Sequence, residues 1–389
     1  MNGASTAPLK QHPHVLFAIL DWGMGHATRT WPLIVTARRM GAQVTVASRG
    51  TAGAWLDARM AEWDRRHDAE DLPPWSRVEK PGVTITYARG IATLPRIALQ
   101  MPRFVRSIAR EHAWATALAR RHGVTHVFSD NCYGAWADVD GVSNVFMTHQ
   151  LHPPVPAPAK AWARSVVMRY AERFDAVWVP DTEDQALAGA LSAPLFEATR
   201  FIGPLSRFQV DDDAPSGYDG STAHAGRPAD LLGLVSGPEP QRSAMEAALR
   251  TCFLRDGRPA LILAGKPGGG QHREANVLTV HDADDEWFRA AILGAETIVC
   301  RSGYSTLLDL VVLGRTAVLV PTVGQPEQEG LARAWSQKHG WTTVQAADLA
   351  TFAPLKATGR VVEVGSAGPE SILRSWLNAP AEPLIRSAP

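Results

Sequence analysis

Short apolar runs of strand length alternate along this chain with longer stretches in which apolar positions recur at helical spacing. The first run, His14-Val15-Leu16-Phe17-Ala18-Ile19-Leu20, enters a glycine-bearing turn, Asp21-Trp22-Gly23-Met24-Gly25-His26. A helix from about Ala27 to Met40 follows, Gly41 stops it, and Gln43–Ser48 reads as the next strand. Further strands are predicted at Val83–Tyr87, Val124–Phe128, Ser143–Met147, Ala176–Val179 and Arg200–Ile202, with helices near Arg96–Arg121 and Ala159–Arg173. Asp211 to Asp230 breaks the alternation, being rich in Asp, Gly, Ser, Ala and Pro. It then resumes with strands at Leu231–Val235, Ala260–Ala264, Asn276–Val280, Thr297–Cys300 and Thr316–Val320. Helices are predicted up to Phe253, over Pro326–His339 and over Ser371–Leu377.

Strand–glycine loop–helix–strand units of this kind build doubly wound parallel sheets. The pattern therefore predicts an α/β protein of two Rossmann-like domains facing across a cleft, residues 1–208 and 231–389, joined by a polar linker at 209–230. The last helix, about 369–378, is a candidate to pack back on the first domain. A length of 389 residues fits two cores better than one.

Within this frame the stretch Arg301-Ser302-Gly303-Tyr304-Ser305-Thr306 has the form of an anion site. A buried strand turns through a glycine into a helix whose first N–H groups lack partners and carry the positive end of the helix dipole. Hydroxyls of Ser302, Ser305 and Thr306 add donors, and Asp309, one turn further in, is an acceptor suited to ribose hydroxyls. The same features are compatible with an ordinary helix cap and a solvated acid.

Composition narrows the chemistry. Thirty-nine Lys and Arg balance 39 Asp and Glu, so no bulk field points to nucleic acid. The three cysteines, Cys132, Cys252 and Cys300, have neither metal-ligand nor disulfide spacing and read as reduced core residues, which suits the cytoplasm. No signal pattern or membrane-spanning run is found. Gly23-Met24-Gly25 begins like a dinucleotide fingerprint but lacks the third glycine. The second strand ends Ser48-Arg49 without an acid, which disfavours NAD and leaves only an NADP enzyme with Arg49 on the 2′-phosphate. Gly265-Lys266 lacks the remaining parts of a P-loop, and no metal site or nucleophile elbow is seen.

His26 behind the Gly-x-Gly loop, Arg301–Asp309 and Pro321-Thr322-Val323-Gly324-Gln325-Pro326-Glu327-Gln328-Glu329 together resemble glycosyltransferase family 28. That family has the GT-B fold and includes the peptidoglycan N-acetylglucosaminyltransferase. Asp21-Trp22-Gly23, Ser129-Asp130-Asn131, Thr148-His149-Gln150-Leu151, Pro204–Phe208 and Ser236-Gly237-Pro238-Glu239-Pro240 are similar to phrases of a bacterial branch of the same group. The resemblance implies an inverting, metal-independent transferase using a UDP-type nucleotide-sugar and no other cofactor. It places Arg301–Thr306 against the diphosphate, with Ser236 and Gly237 closing over it and Gln325 in the neighbouring loop. Asp309 falls on a ribose-binding Glu, one methylene shorter. Gln328 and Glu329 fall on a Gln-Gln pair that contacts the donor sugar, so Glu329 departs from the pattern, as does Ala332 in place of an Asn.

Sugar transfer needs a stabilised leaving diphosphate, a base for the acceptor hydroxyl and in-line positioning. His26 is the first choice for base, with Asp130 to orient it, and His149 the second. Gly23, Met24, Gly25 and Asn131 are assigned to the acceptor side. Each histidine also has a reading as a cap or packing residue, and Asp130 as a turn acid. Ile91–Arg110 reads as a basic amphipathic helix, either solvated or lying peripherally on an anionic membrane that supplies a lipid-linked or glycan acceptor. The rivals are a nucleotide-sugar hydrolase on the same scaffold and a non-catalytic nucleotide-sugar-binding protein.

Overall fold

A computed structural model describes residues 13–379 apart from 68–70, 84–92, 156, 211–228, 238, 266–268, 282, 354–356 and 365–368. Side chains of 93–101 are also outside the description. The first strand, β1 (His14–Ile19), is buried throughout, as a central strand covered on both faces must be. Its side chains alternate with period two. Val15, Phe17 and Ile19 enter one cluster with α1 (Met24–Arg39) and α2 (Gly50–Arg66). Leu16 points the other way, into a cluster with Ala119 of α3 (Thr93–His122).

Around β1 lies a seven-stranded, wholly parallel sheet in the order β3-β2-β1-β4-β5-β6-β7. Its other members are β2 (Gln43–Ser48), β3 (Trp75–Glu79), β4 (His126–Asp130), β5 (Ser143–Met147), β6 (Ala176–Val179) and β7 (Thr199–Phe201). The third strand differs from the expectation of Val83–Tyr87, most of which lies outside the described residues. Trp75–Glu79 takes the place beside β2, with Val44 opposite Trp75. As an edge strand with half-exposed positions it lacks the apolar run that marks the inner strands.

A second sheet has the order β10-β11-β9-β8-β12-β13, parallel except for the β10–β11 hairpin. Its strands are β8 (Leu231–Leu234), β9 (Ala260–Leu263), β10 (Gln271–Glu274), β11 (Val277–Val280), β12 (Thr297–Cys300) and β13 (Val318–Leu319). Helices α5 (Gln241–Asp256), α6 (Asp285–Gly294) and α7 (Tyr304–Val312) join them and α8 (Pro326–His339) follows β13, while α4 (Lys160–Ala171) precedes β6 in the first sheet. Leu231, Ile262, Val277, Val299 and Val318 from five strands pack with Leu249 and Phe253 of α5. Both doubly wound α/β halves read from the sequence are therefore present.

The chain divides into two compact units, one built on each sheet. Ala186–Gly189, assigned to the first domain from sequence, belong to the second unit. The Leu187 carbonyl accepts from the Trp335 indole at 2.7 Å and the Ala186 carbonyl from His339 Nε2 at 2.8 Å. In the opposite sense, α9 (Pro369–Asn378) belongs to the first unit. Its Leu373, Trp376 and Leu377 are buried with β1, β4 and α1 residues, and the Trp376 indole donates to Ser143 Oγ at 2.8 Å. All three cysteines are buried and unpaired, and burial raises the Cys300 thiol to about 12. Among the described residues no helix is long and apolar enough to cross a membrane.

Candidate functional site

In an open parallel sheet, ligands sit where the strand order reverses, beyond the carboxyl ends of the two diverging strands. In the first unit that point lies between β1 and β4, which pair directly, Ile19 against Asp130. The loop after β1 leads through Gly23, whose φ of 143° no bulky residue adopts, into α1 with His26 in its first turn. Asp130 closes β4 and is fully buried.

The carboxylate of Asp130 is the hub. Oδ1 lies 3.0 Å from His26 Nδ1 and accepts from the Arg29 guanidinium. Oδ2 accepts from Arg29 Nε at 3.0 Å and from Thr30 Oγ1 at 2.8 Å. Burial alone would raise this carboxyl, but the charge of Arg29 and then that of His26 outweigh it and hold the pKa well below the usual carboxylate range. Arg29 is itself 3% exposed, so the pair is a buried bidentate ion pair.

Arg29 also reaches both histidines. It lies 2.9 Å from His149 Nδ1 and, being only a donor, requires that nitrogen to accept. His149 Nε2 in turn lies 3.3 Å from the Gln150 side-chain amide, so both ring nitrogens are engaged. This argues against His149, the second choice for base, and leaves it a positioning group. His26 Nδ1 lies between Asp130 Oδ1 and an Arg29 nitrogen at 2.9 Å. A base at Nε2 requires the Nδ1 proton to be directed at Asp130, with the Arg29 nitrogen donating to the carboxylate rather than to the ring. The His26 side chain is 18% exposed, against 0% for Asp130, so it is the member of the group that a ligand can reach.

Arg29 and Thr30 were not singled out from the sequence. Arg29 follows His26 by three residues on one helix face, a spacing that brings side chains together. Of the acceptor-side residues, Gly23 and Met24 are exposed and Gly25 half-buried. Asn131 adopts a left-handed φ of 57°, and its Oδ1 is buried without a partner among the described residues. Arg49, the residue an NADP enzyme would need, is instead paired with Asp21 at 2.7 Å.

In the second unit the strand order reverses between β8 and β12, with Leu234 opposite Cys300. Ser236 and Gly237, both exposed, leave the end of β8, and Arg301–Gly303 leave the end of β12. Gly303 caps α7 with an ordinary φ of −74°, and a Cβ built there would meet nothing nearer than Thr306 Oγ1 at 4.0 Å. Neither backbone conformation nor packing demands glycine here, and what its missing side chain leaves is open space before the first amides of α7. Ser305 and Thr306 are half-exposed there, and the first turn carries no acid. By contrast α8 carries Glu327 and Glu329 in its first turn, which neutralise its own dipole.

Several sequence assignments are corrected by the geometry. Arg301 does not present its guanidinium to a ligand. It is 4% exposed and donates to the Val320 carbonyl at 3.4 Å and the Gln241 carbonyl at 2.8 Å. No carboxylate pairs with it among the described residues, so its charge adds to the field at the α7 terminus without contact. The Ser302 hydroxyl turns inward to the Gln328 carbonyl at 2.8 Å, and Tyr304 is buried in the core. Asp309 is 7% exposed between Leu308 and Leu310, which leaves little surface for a ribose. Gln328 Oε1 accepts from the Thr322 amide at 2.9 Å and Glu329 Oε1 from the Gly324 amide at 2.8 Å, so both close the loop before α8. The Gln325 carbonyl accepts from the Glu329 amide at 3.1 Å. Ser302, Gln328 and Glu329 thus hold the loops that frame the α7 terminus.

No protein-family model and no curated protein matches the sequence. Solved structures do. The glycosyltransferase SnogD from Streptomyces nogalater is 17% identical with a TM-score of 0.58, covering 94% of this chain and 95% of its own. Arabidopsis thaliana UGT89C1 complexed with UDP is 14% identical with a TM-score of 0.61, covering 94% and 100%. Spinosyn rhamnosyltransferase SpnG is 12% identical with a TM-score of 0.60, covering 94% and 96%. At these identities the likeness is one of fold, and it gives the chain the GT-B fold of these glycosyltransferases.

Proposed function

We propose that the protein is a glycosyltransferase that moves a sugar from a UDP-type nucleotide-sugar to an acceptor hydroxyl, with inversion and without a metal. The observation that carries this reading is the open, acid-free N-terminus of α7 at the strand-order reversal of the second unit. Its amides and the unpaired charge of Arg301 stabilise the negative charge that grows on the departing diphosphate. Ser305 and Thr306 add hydroxyl donors, and Ser236 and Gly237 approach from the adjacent strand end. In the first unit His26 Nε2 takes the acceptor proton while Asp130, fixed by Arg29 and Thr30, holds the ring. The acceptor oxygen bonds to the anomeric carbon, the bond from that carbon to the diphosphate oxygen breaks, and UDP leaves. Ligands of the structural neighbours support the donor class, since UGT89C1 is complexed with UDP and with UDP-L-rhamnose. Membership near family 28, inversion and a cell-envelope or lipid-linked acceptor rest on the sequence resemblance alone.

A thermal-shift panel of nucleoside diphosphates and their sugars tests the donor assignment, because a ligand bound only by the native state raises the melting temperature. UDP compounds are expected to give the largest shift, and Gly303→Val, which fills the space before α7, to remove it. A shift with NADPH and none with UDP would refute the reading. Incubation with UDP-sugars alone separates transfer from hydrolysis, the latter releasing stoichiometric free sugar without acceptor.

A further inference from the structure

The first unit holds a cavity of about 660 Å³ that the diphosphate reading leaves unused. Arg49 and Lys80 line it, as do Arg103, Arg106 and Arg110, which share one face of α3 at i, i+3 and i+7. Among the described residues, Glu79 is the only acid in its wall. Arg49 is paired with Asp21 at 2.7 Å and Lys80 with Glu111 at 2.9 Å, whereas the three α3 arginines have no carboxylate partner among the described residues. Setting Glu79, Asp21 and Glu111 against the five cations leaves an excess of two positive charges. That excess matches a phosphate monoester, which carries about 1.5–2 negative charges at neutral pH. Arginine forks also fit phosphate oxygens in pairs.

The cavity continues towards His26. Lys80, Gly82, Val83 and Ser107 also line a narrower adjoining space whose other wall is Trp22, Asn131 and Tyr133. Trp22 precedes His26 in the β1 loop and Asn131 follows Asp130, so this space borders the loops that carry the proposed base and its partner. Asn131 lines it, and its Oδ1 is buried without a partner among the described residues. The arginine face is held in place by close backbone approach. A Cβ on Gly134 would stand 2.7 Å from Glu111 Cβ and inside the contact radius of the Ile108 carbonyl, so α3 is seated directly against the loop after β4.

We infer that this cavity binds the phosphate group of a phosphorylated acceptor, held by Arg103, Arg106 and Arg110, while its apolar part lies along Trp22 towards His26. The inference rests on the transferase reading for the word acceptor, but the anion site stands on its own geometry. Calorimetric titration of the full-length protein, saturated with UDP to occupy the second unit, tests it with phenyl phosphate as probe. Binding is expected, weakened about tenfold or more by R106Q combined with R110Q, since each charged hydrogen bond lost costs about 1.5–3 kcal/mol. The UDP affinity of that variant should stay within about twofold, the near-additivity expected of distant sites. Equal phenyl phosphate binding by wild type and variant, or none by either, overturns the inference. So does benzoate binding as tightly as phenyl phosphate. Sedimentation with phosphatidylglycerol vesicles, lost in the variant while phenyl phosphate does not bind, would assign the arginines to a membrane surface instead. Failure to bind UDP with phenyl phosphate still bound would overturn the transferase reading and leave the anion site supported.

Discussion

Replacing Asp130 by Asn tests the hub of the first unit with almost no change in shape. The carboxylate accepts from Arg29 through both oxygens, from Thr30 at 2.8 Å and, in the proposed tautomer, from His26. An amide keeps one acceptor oxygen and turns an NH₂ towards donors it cannot satisfy. More costly still, Arg29 stays charged and 3% exposed with no anion beside it. Breaking one side of a buried ion pair typically costs about 3–5 kcal/mol, far more than the roughly 1 kcal/mol of the Thr30 hydrogen bond. A chain of two units has no single unfolding free energy, so amide exchange in β1 and β4 is the suitable measurement. Asp130→Asn should lower the protection of those amides by that amount and leave β8 and β12 unchanged. Asp130→Leu combined with Arg29→Met should recover much of the loss, because removing both charges removes the uncompensated one. A loss below about 1 kcal/mol, or a double variant as damaged as the sum of the singles, would refute a dry, paired carboxylate.

Two further outcomes are expected. His126 is buried against Trp376, and burial, only partly offset by a hydrogen bond with the Trp376 backbone, lowers its pKa from 6.5 to about 4. The unfolded chain therefore binds the proton first on acidification. This stabilising contribution is complete above pH 6.5 and fades as pH falls towards 4, a loss of about 3 kcal/mol. His126→Leu should flatten melting temperature against pH in that window, with a residual slope from His14, also lowered by burial. Trp376→Ala removes an indole that meets Phe128 at 6.3 Å and Trp178 at 5.4 Å between ring centres. It should destabilise the first unit by about 3–5 kcal/mol in a thermal melt, and an effect confined to the second unit would contradict the packing.

The sheets were legible because their inner strands are continuous apolar runs. Ser143–Met147, Ala176–Val179 and Thr297–Cys300 coincide with the expected spans. The glycine turn into α7 was equally plain. Four things were not. Trp75–Glu79 is an edge strand with only Trp75 and Val78 apolar, and Val83–Tyr87 offered a stronger pattern nearby. Ser302, Gln328 and Glu329 carry polar atoms that suit a ligand, but backbone groups take them up, the Gln328 carbonyl for Ser302 and the amides of the loop just before α8 for Gln328 and Glu329. Arg29 was overlooked because an arginine in a helix is ordinarily solvated, and only β4 arriving alongside makes it part of a buried pair. The amphipathic face of α9 could be read, but not the surface that receives it.

That surface has a consequence for biosynthesis. Because α9 supplies Trp376 to the core around β1 and β4, the first unit lacks part of its interior until residues 369–378 have left the ribosome. Its second unit, whose strands run from 231 to 319, is already made by then. Early termination near residue 364 would therefore spare the later-synthesised lobe and cripple the earlier one, leaving an unfilled apolar slot on nascent protein for a chaperone to occupy.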